Sequence, residues 1–413
     1  MCPLRYFLSA LTVALASFAA NASGTPLPQP QSDDSIRVSL LTAAPGSMIY
    51  ELEGHTMLRL QYGDLDACVS WGVFDFNAPN FVYRFVKGET DYMAAAFPTG
   101  VALKEYADTH RRVSEQVLNL NRQQSLRLVE LVNENLRAEN ATYRYNYLYD
   151  NCATRPVALI ETAVQDTIHI QPSSDSTFAH DLTFRRLMRA YHRNYPWYQF
   201  GIDLALGSGI DEPITNRESC FAPVRLMGFL SSARFSDNRR VMLPAASADI
   251  ITGNADGIAL DATPWWLTPD AICWCIGLIC MAWLLLSWKR GKRARVLVSC
   301  IFGVNTLVGL LLTFLIFVSV HEATSPNWLY LWLNPLCIVG AIGVWLKKTN
   351  VPLVCYHFAN FVAIVTLVGI DVAGIQSLNS AFYPLMLPDA AISLHYLYLF
   401  RKSQQSDVAA TRP

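Results

Sequence analysis

Five apolar runs, at 271–288, 296–320, 328–346, 353–372 and 382–400, fall in the last third of the chain, and each is long enough to cross a bilayer. Lipid offers no water to unpaired backbone groups, so runs of this kind must fold as helices that satisfy their own amides. Their direction follows from the basic residues. Lys289-Arg290-Gly291-Lys292-Arg293-Ala294-Arg295, Lys347-Lys348 and Arg401-Lys402 follow the first, third and fifth runs, and the alternate connections carry no Lys or Arg. The three clusters and the tail at 403–413 are therefore expected in the cytoplasm, and the chain before the first run outside it. Trp265-Trp266, Trp328 and Tyr330 suit the outer interface. Asn305, Asn334, His357, Asn360, Asp389 and His395 lie in or near the runs, where polar side chains turn to the bundle interior; interhelical hydrogen bonding is the expectation for the asparagines.

The other end agrees independently. Arg5, an apolar stretch at 6–18 and Ala20-Asn21-Ala22 read as a secretory signal peptide over 1–22, with an uncleaved anchor as the alternative. A Pro/Ser/Gln linker at 23–35 precedes one globular domain at 36–240, and a second linker at 241–269 leads to an all-α membrane domain at 270–402. The 52% hydrophobic content thus reflects two unlike halves. A net charge of −1, with no basic stripe or nucleic-acid motif, gives no reason to expect a nucleic-acid partner. Of ten cysteines, Cys2 lies in the signal and six in the apolar runs, leaving Cys68, Cys152 and Cys220 in the exported domain. Pairing of Cys68 with Cys220 would leave Cys152 free; three buried thiols are the other possibility.

The exported domain reads as α+β, an antiparallel meander with helices packed on one side. Thr56, Leu58, Leu60 and Tyr62 alternate with His55, Met57, Arg59 and Gln61 along a strand, and a turn at Gly63-Asp64-Leu65-Asp66 returns it as a second strand over 67–76. A four-residue loop places Ser70 on the face of His55, whereas a one-residue register change presents Trp71 and Asp75 instead. A turn follows at Phe97-Pro98-Thr99-Gly100, then a strand at 113–120, a helix capped by Asn121 and running to about residue 139, and further helix at 181–191.

Tyr143, Tyr145, Tyr147 and Tyr149 alternate as a short strand, and Val157, Ile160, Ala163 and Val164 continue as a helix for which Thr154 is the expected N-cap and Pro156 the first turn. Cys152 falls at that junction. A helix N-terminus lowers a thiol pKa and can hold an oxyanion, although a small buried hydrophobe is the commoner role of a free cysteine. Among His55, His110, His169, His180 and His192, only His55 projects from a strand face beside another polar group, and the others lie in polar or loop-like stretches where solvated histidines are the rule. No Cys/His/carboxylate spacing suits a metal, and no cofactor motif is present.

Gly54-His55-Thr56-Met57-Leu58-Arg59, Gly72-Val73-Phe74-Asp75-Phe76, Tyr145-Asn146-Tyr147, Asp150-Asn151-Cys152-Ala153-Thr154-Arg155 and Tyr195-Pro196-Trp197 resemble the periplasmic domain of the thiol-dependent lipoprotein N-acyltransferases, over about residues 36–235. The His-before-Cys order is also similar, more distantly, to the permuted papain-like acyltransferases of the lecithin:retinol acyltransferase type, where Asn-Cys is followed by Glu-His-Phe rather than Ala153-Thr154-Arg155. The first resemblance implies a bacterial inner-membrane enzyme with Cys152 as nucleophile and His55 as general base, a phospholipid acyl donor and a lipoprotein acceptor. Ser70 and Asp75 are the candidate orienting groups. Arg59, Asn151 and Arg155 are the candidate substrate-binding residues, with structural ion pairs the alternative for the two arginines. A Cys-His hydrolase and a membrane-tethered binding module are the rival functions.

Overall fold

The computed structural model describes residues 26–75, 77–170, 182–255, 263–346 and 350–410; the expected signal peptide, Phe76, His180 and Lys347-Lys348 lie outside these. Two compact units emerge, Met1–Phe85 with Glu89–Leu182 and Ile214–Leu260, and Val86–Gly88 with Thr183–Pro213 and Asp261–Pro413.

The first unit is built on seven antiparallel strands, β1 (Arg37–Ala43), β2 (His55–Tyr62), β3 (Leu65–Val73), β4 (Asp91–Pro98), β5 (Val113–Val117), β6 (Thr142–Arg144) and β7 (Ala248–Ile251), in the order β6-β4-β3-β2-β1-β5-β7. Helix α1 (Phe81–Lys87) connects β3 to β4, α2 (Thr99–Asp108) connects β4 to β5, and α3 (Arg122–Leu136) and α4 (Thr154–Val164) follow β5 and β6. Asn121 caps α3 through the expected reciprocal pair with Gln124. Leu128, Val129, Val132 and Leu136 of α3 and Val157 and Ile160 of α4 bury their side chains with Leu58, Leu60 and Val69 of the sheet. Each such fully buried side chain contributes about 1.5–3 kcal/mol.

Helices cover both sheet faces, contrary to the one-sided packing expected. Met57, Cys68 and Phe97 point away from α3 and pack with Ala102 and Tyr106 of α2. The expected turn at 97–100 is the entry to this helix: Pro98 ends β4 and Thr99 opens α2. The β2–β3 turn is also tighter than expected, two residues rather than four, with Tyr62 opposite Leu65 and Met57 opposite Ser70. Two and four have the same parity, so Ser70 keeps the His55 face.

The linkers are partly structured. Asn133 of α3 exchanges hydrogen bonds with the Leu27 backbone at 2.7 and 3.0 Å, and β7, within the expected linker at 241–269, pairs with β5. Cys68, Cys152 and Cys220 are all buried free thiols.

Thr183–Pro213, expected in the exported domain, belongs to the second unit, and its helices are α5 (Phe184–Tyr191) and α6 (Pro196–Ala205). Charge explains its allegiance: Arg189 donates to Ser377 and Leu378, and Asn379 donates to Asp203. Three helices in this unit, Pro269–Lys289, Arg295–Phe317 and Val351–Val372, are long and apolar enough to cross a membrane. The run at 328–346 is not one helix; it consists of 3-10 turns at Trp328–Leu331 and Pro335–Cys337 followed by helix Ile338–Gly343. Pro335 lacks an amide and suits only a first turn, and Asn334 caps the restart through Leu336 N. The last run lies in helix Tyr383–Ala410, which contains Pro388. Asn305, Asn360 and Trp332 all donate to the buried Asp389, so these asparagines form the expected interhelical bonds.

Candidate active site

Gly54 turns the chain into β2 with φ of +84°, and a Cβ there would meet the Ala43 carbonyl oxygen at 2.5 Å. Only glycine fits so close an approach with this backbone. His55 therefore opens β2 opposite Ala43, half-buried, and its Nε2 lies 2.8 Å from Ser70 Oγ. Burial, assisted by the nearby Arg111 guanidinium, lowers the His55 pKa to about 4. Arg111 is itself buried, donating to Ala44 O at 2.9 Å and Glu51 Oε1 at 2.7 Å. At neutral pH the imidazole is uncharged and able to accept a proton.

Cys152 arrives from a different kind of local structure. The tyrosine alternation makes a strand only at Thr142–Arg144; Asn146 and Asp150 then exchange both backbone hydrogen bonds across a tight turn. Asn146 drives the departure by accepting from Leu148 N and Tyr149 N. Thr154 is the first residue of α4 rather than its N-cap, and Ala153 at the cap supplies no side-chain bond. Asn151 substitutes: its Oδ1 accepts from Ala153 N at 2.8 Å and Thr154 N at 3.0 Å, while its Nδ2 donates to Tyr147 O and Phe221 O. These bonds engage the Asn151 amide with the loop that presents Cys152.

The cysteine is 8% exposed. Its sulfur is within hydrogen-bonding reach of the Thr56 backbone amide and its own, and Thr56 directly follows His55. Both amides favour a thiolate, but burial outweighs them and, with the Glu53 carboxylate nearby, raises the pKa to about 11. The lowered thiol pKa expected of the helix start is thus not found. Near pH 7 both groups therefore rest uncharged, a thiol and an imidazole rather than an ion pair.

The remaining candidates separate by their partners. Ser70 joins His55, whereas Asp75 is exposed and accepts from Asn77 N at 2.8 Å. Arg59 forms a bidentate pair with Asp66 and a second bond to Glu115 at 3.2 Å. Arg155 pairs with Asp150 at 2.5 Å and lies 3.4 Å from the Tyr143 ring centroid. His110 and His169 are exposed, as expected. His192 is buried instead, with Nδ1 2.8 Å from Gln199 Oε1. Glu53 was not singled out in the sequence; it is buried near Cys152 and accepts from the Tyr147 hydroxyl. Its only sequence signal is a carboxylate two positions before His55. Among the described residues, no group of three or more His, Cys, Asp or Glu is placed to hold a metal.

The family model for the Lnb N-terminal periplasmic domain matches residues 31–190, and that for the Lnb transmembrane domain matches 261–404. No curated protein and no solved structure matches the chain. The first match contains both His55 and Cys152, and the two together account for well over half of the sequence. With the periplasmic domain and the transmembrane domain in that order, the chain belongs to the Lnb family of inner-membrane proteins.

Proposed function

We propose that this protein is an acyltransferase that carries an acyl chain from a phospholipid, through a thioester on Cys152, to the amino terminus of a diacylglyceryl lipoprotein. The observation that supports it most is the junction at the start of β2, where His55 is positioned by Ser70 and the next amide, Thr56, reaches the Cys152 sulfur. The neutral imidazole takes the thiol proton as sulfur attacks the donor ester carbonyl. Carbon–sulfur bond formation is followed by cleavage of the ester carbon–oxygen bond, and the imidazolium returns the proton to the departing lysophospholipid. The acceptor amine then attacks the thioester, the carbon–sulfur bond breaks, and His55 passes the amine proton to sulfur. The Thr56 and Cys152 amides serve as donors to the oxyanion formed in each half.

Both substrates are anchored in lipid, which gives the membrane unit its purpose. Five crossings follow if the broken segment 328–343 and the helix Tyr383–Ala410 complete the three long apolar helices, with the basic clusters and the C-terminus in the cytoplasm. The low exposure of Cys152 favours transfer over hydrolysis, because a thioester formed there is shielded from water.

The test uses purified full-length protein in phosphatidylglycerol vesicles. Mass spectrometry should find one acyl chain on Cys152, absent in His55→Ala, and N-acylated product after a diacylated lipopeptide is added. Free fatty acid without N-acylated product would favour the hydrolase. Retained function in both Cys152→Ala and His55→Ala would leave only a tethered binding module.

A further inference from the structure

A run of aromatic rings starts at Tyr145 and continues to the surface of the first unit. Tyr145 lies within electrostatic reach of Cys152. Its ring stacks on Tyr92 at 4.3 Å, Tyr92 meets Phe74 at 5.0 Å, Phe74 meets Phe81 at 5.9 Å and Phe81 meets Phe85 at 6.0 Å. These five rings are absent from both apolar clusters of the sheet. Tyr145, Tyr92, Phe74 and Phe81 are half-buried, and α1 at the far end exposes Val82, Tyr83 and Phe85 by 73, 55 and 50%. Gly72 makes room near the start: a Cβ there would lie 3.2 Å from the Tyr145 ring.

Exposed rings and a valine on a seven-residue helix cost free energy in water unless something apolar covers them. We propose that the strip Tyr145–Tyr92–Phe74–Phe81–Phe85 is the track on which one acyl chain of the phospholipid donor lies, with α1 as its entrance from lipid. An acyl chain is the fitting occupant because the strip runs ring to ring from the exposed helix α1 to Tyr145, which lies within electrostatic reach of Cys152. The strip's four ring-to-ring steps of 4.3, 5.0, 5.9 and 6.0 Å make a path of at most about 21 Å, enough for one such chain, which fills about 15 Å, half of the ~30 Å hydrocarbon core. The proposal rests on the transferase reading for its donor, and its test does not require turnover.

Cys152→Ala protein is placed in phosphatidylglycerol vesicles doped with phospholipid bearing a diazirine at mid-chain or, separately, on the headgroup. After irradiation, the mid-chain probe should label Phe74 and Tyr92, the headgroup probe should not, and Val82→Asp with Phe85→Asp should lower the Phe74 and Tyr92 signal about tenfold. Circular dichroism melting checks that the double variant is folded. Labelling at Val82–Phe85 alone would mean that α1 only touches the bilayer, and labelling confined to the helices after residue 269 would mean that chains never reach the first unit; either overturns the track. Thioester formation on wild-type Cys152 is measured in parallel. Acylation without Phe74 or Tyr92 labelling removes the track and keeps the transferase, whereas labelling without acylation keeps the lipid track and removes the transferase.

Discussion

Nε2 of His55 lies 2.8 Å from Oγ of Ser70, which faces it from the neighbouring strand. The hydroxyl fixes the plane of a ring that would otherwise rotate about its side-chain bonds. Ser70→Ala should therefore slow Cys152 acylation about fivefold to tenfold, the effect of one lost hydrogen bond of ~1 kcal/mol. His55→Ala removes the proposed base and should cost about 10²–10⁴. Single-turnover acylation monitored by intact mass separates the two, and equal rates for wild type and Ser70→Ala would remove the orienting role.

Two opposite pKa displacements at one site give a defined pH behaviour. Because His55 holds its proton only below about 4, the base should remain competent from pH 8 down to 5, with no acid limb near 6.5 in the acylation rate. Its linkage to stability has a definite sign. The unfolded imidazole binds a proton below 6.5 and the folded one only below about 4, so stability present above 6.5 declines as pH falls through that window, by no more than about 3 kcal/mol. Cys152 acts at the other end: its contribution, present below the ordinary thiol pKa of 9, is lost as pH rises toward about 11. Thermal melts of wild type and His55→Gln between pH 7 and 4.5 should converge at the acid end; parallel curves would refute the assignment.

What was legible in the sequence was what depends on local pattern and parity. The alternation at 55–62 gives β2 its facing, the Asn121–Gln124 pair gives α3 its start, and the parity of the hairpin places Ser70 with His55 even though the turn has two residues rather than four. What failed depends on competition. The helix start lowers a thiol pKa, but the burial of Cys152 is a property of packing around α4 and outweighs it. The tyrosine alternation at 143–149 suits a strand, yet Asn146 captures two amides and turns the chain. No residue pattern near 183–213 marks it as part of the membrane unit, because the partners of Arg189 lie 188 and 189 residues further along the chain.

Glu53 places a carboxylate near the Cys152 thiol, which loses its proton in the proposed reaction. Glu53→Gln keeps the shape and removes the charge, so Cys152 should ionise more readily and react faster with iodoacetamide at a fixed pH of about 8. The Tyr147 hydroxyl can still donate to the amide oxygen. An unchanged alkylation rate would show that burial alone sets the thiol pKa.

Arg59 distinguishes a phosphate ligand from a structural cation. Its guanidinium is held by Asp66 and by Glu115, whose side chain is 6% exposed. Arg59→Met should leave the enclosed Glu115 with the more exposed Arg37, 3.4 Å away, and cost about 1–3 kcal/mol, seen as a lower melting temperature. The KM for phospholipid should stay near that of wild type. A raised KM with unchanged melting would instead assign Arg59 to the donor headgroup.

Asp203 connects two of the three arginines of α5, Arg185 and Arg189. One oxygen meets Arg185 Nη1 at 2.9 Å and Arg189 Nη2 at 3.2 Å, and the other accepts from Asn379 at 2.9 Å. Arg185 and Asp203 are both essentially inaccessible, and Arg185 also bonds Asp211 and the Leu206 and Gly207 carbonyls. Removing the Asp203 charge leaves two guanidiniums, Arg185 and Arg189, sharing the Asp211 carboxylate that pairs with Arg185 at 2.9 Å, at a cost of about 3 kcal/mol. Asp203→Asn should therefore open residues 183–213 and 377–379 to hydrogen exchange while β1, β2 and β3 keep their protection. If exchange rose in those strands instead, this segment would be part of the periplasmic fold and not of the membrane unit, and the ion pairs would have to be reassigned to holding the sheet.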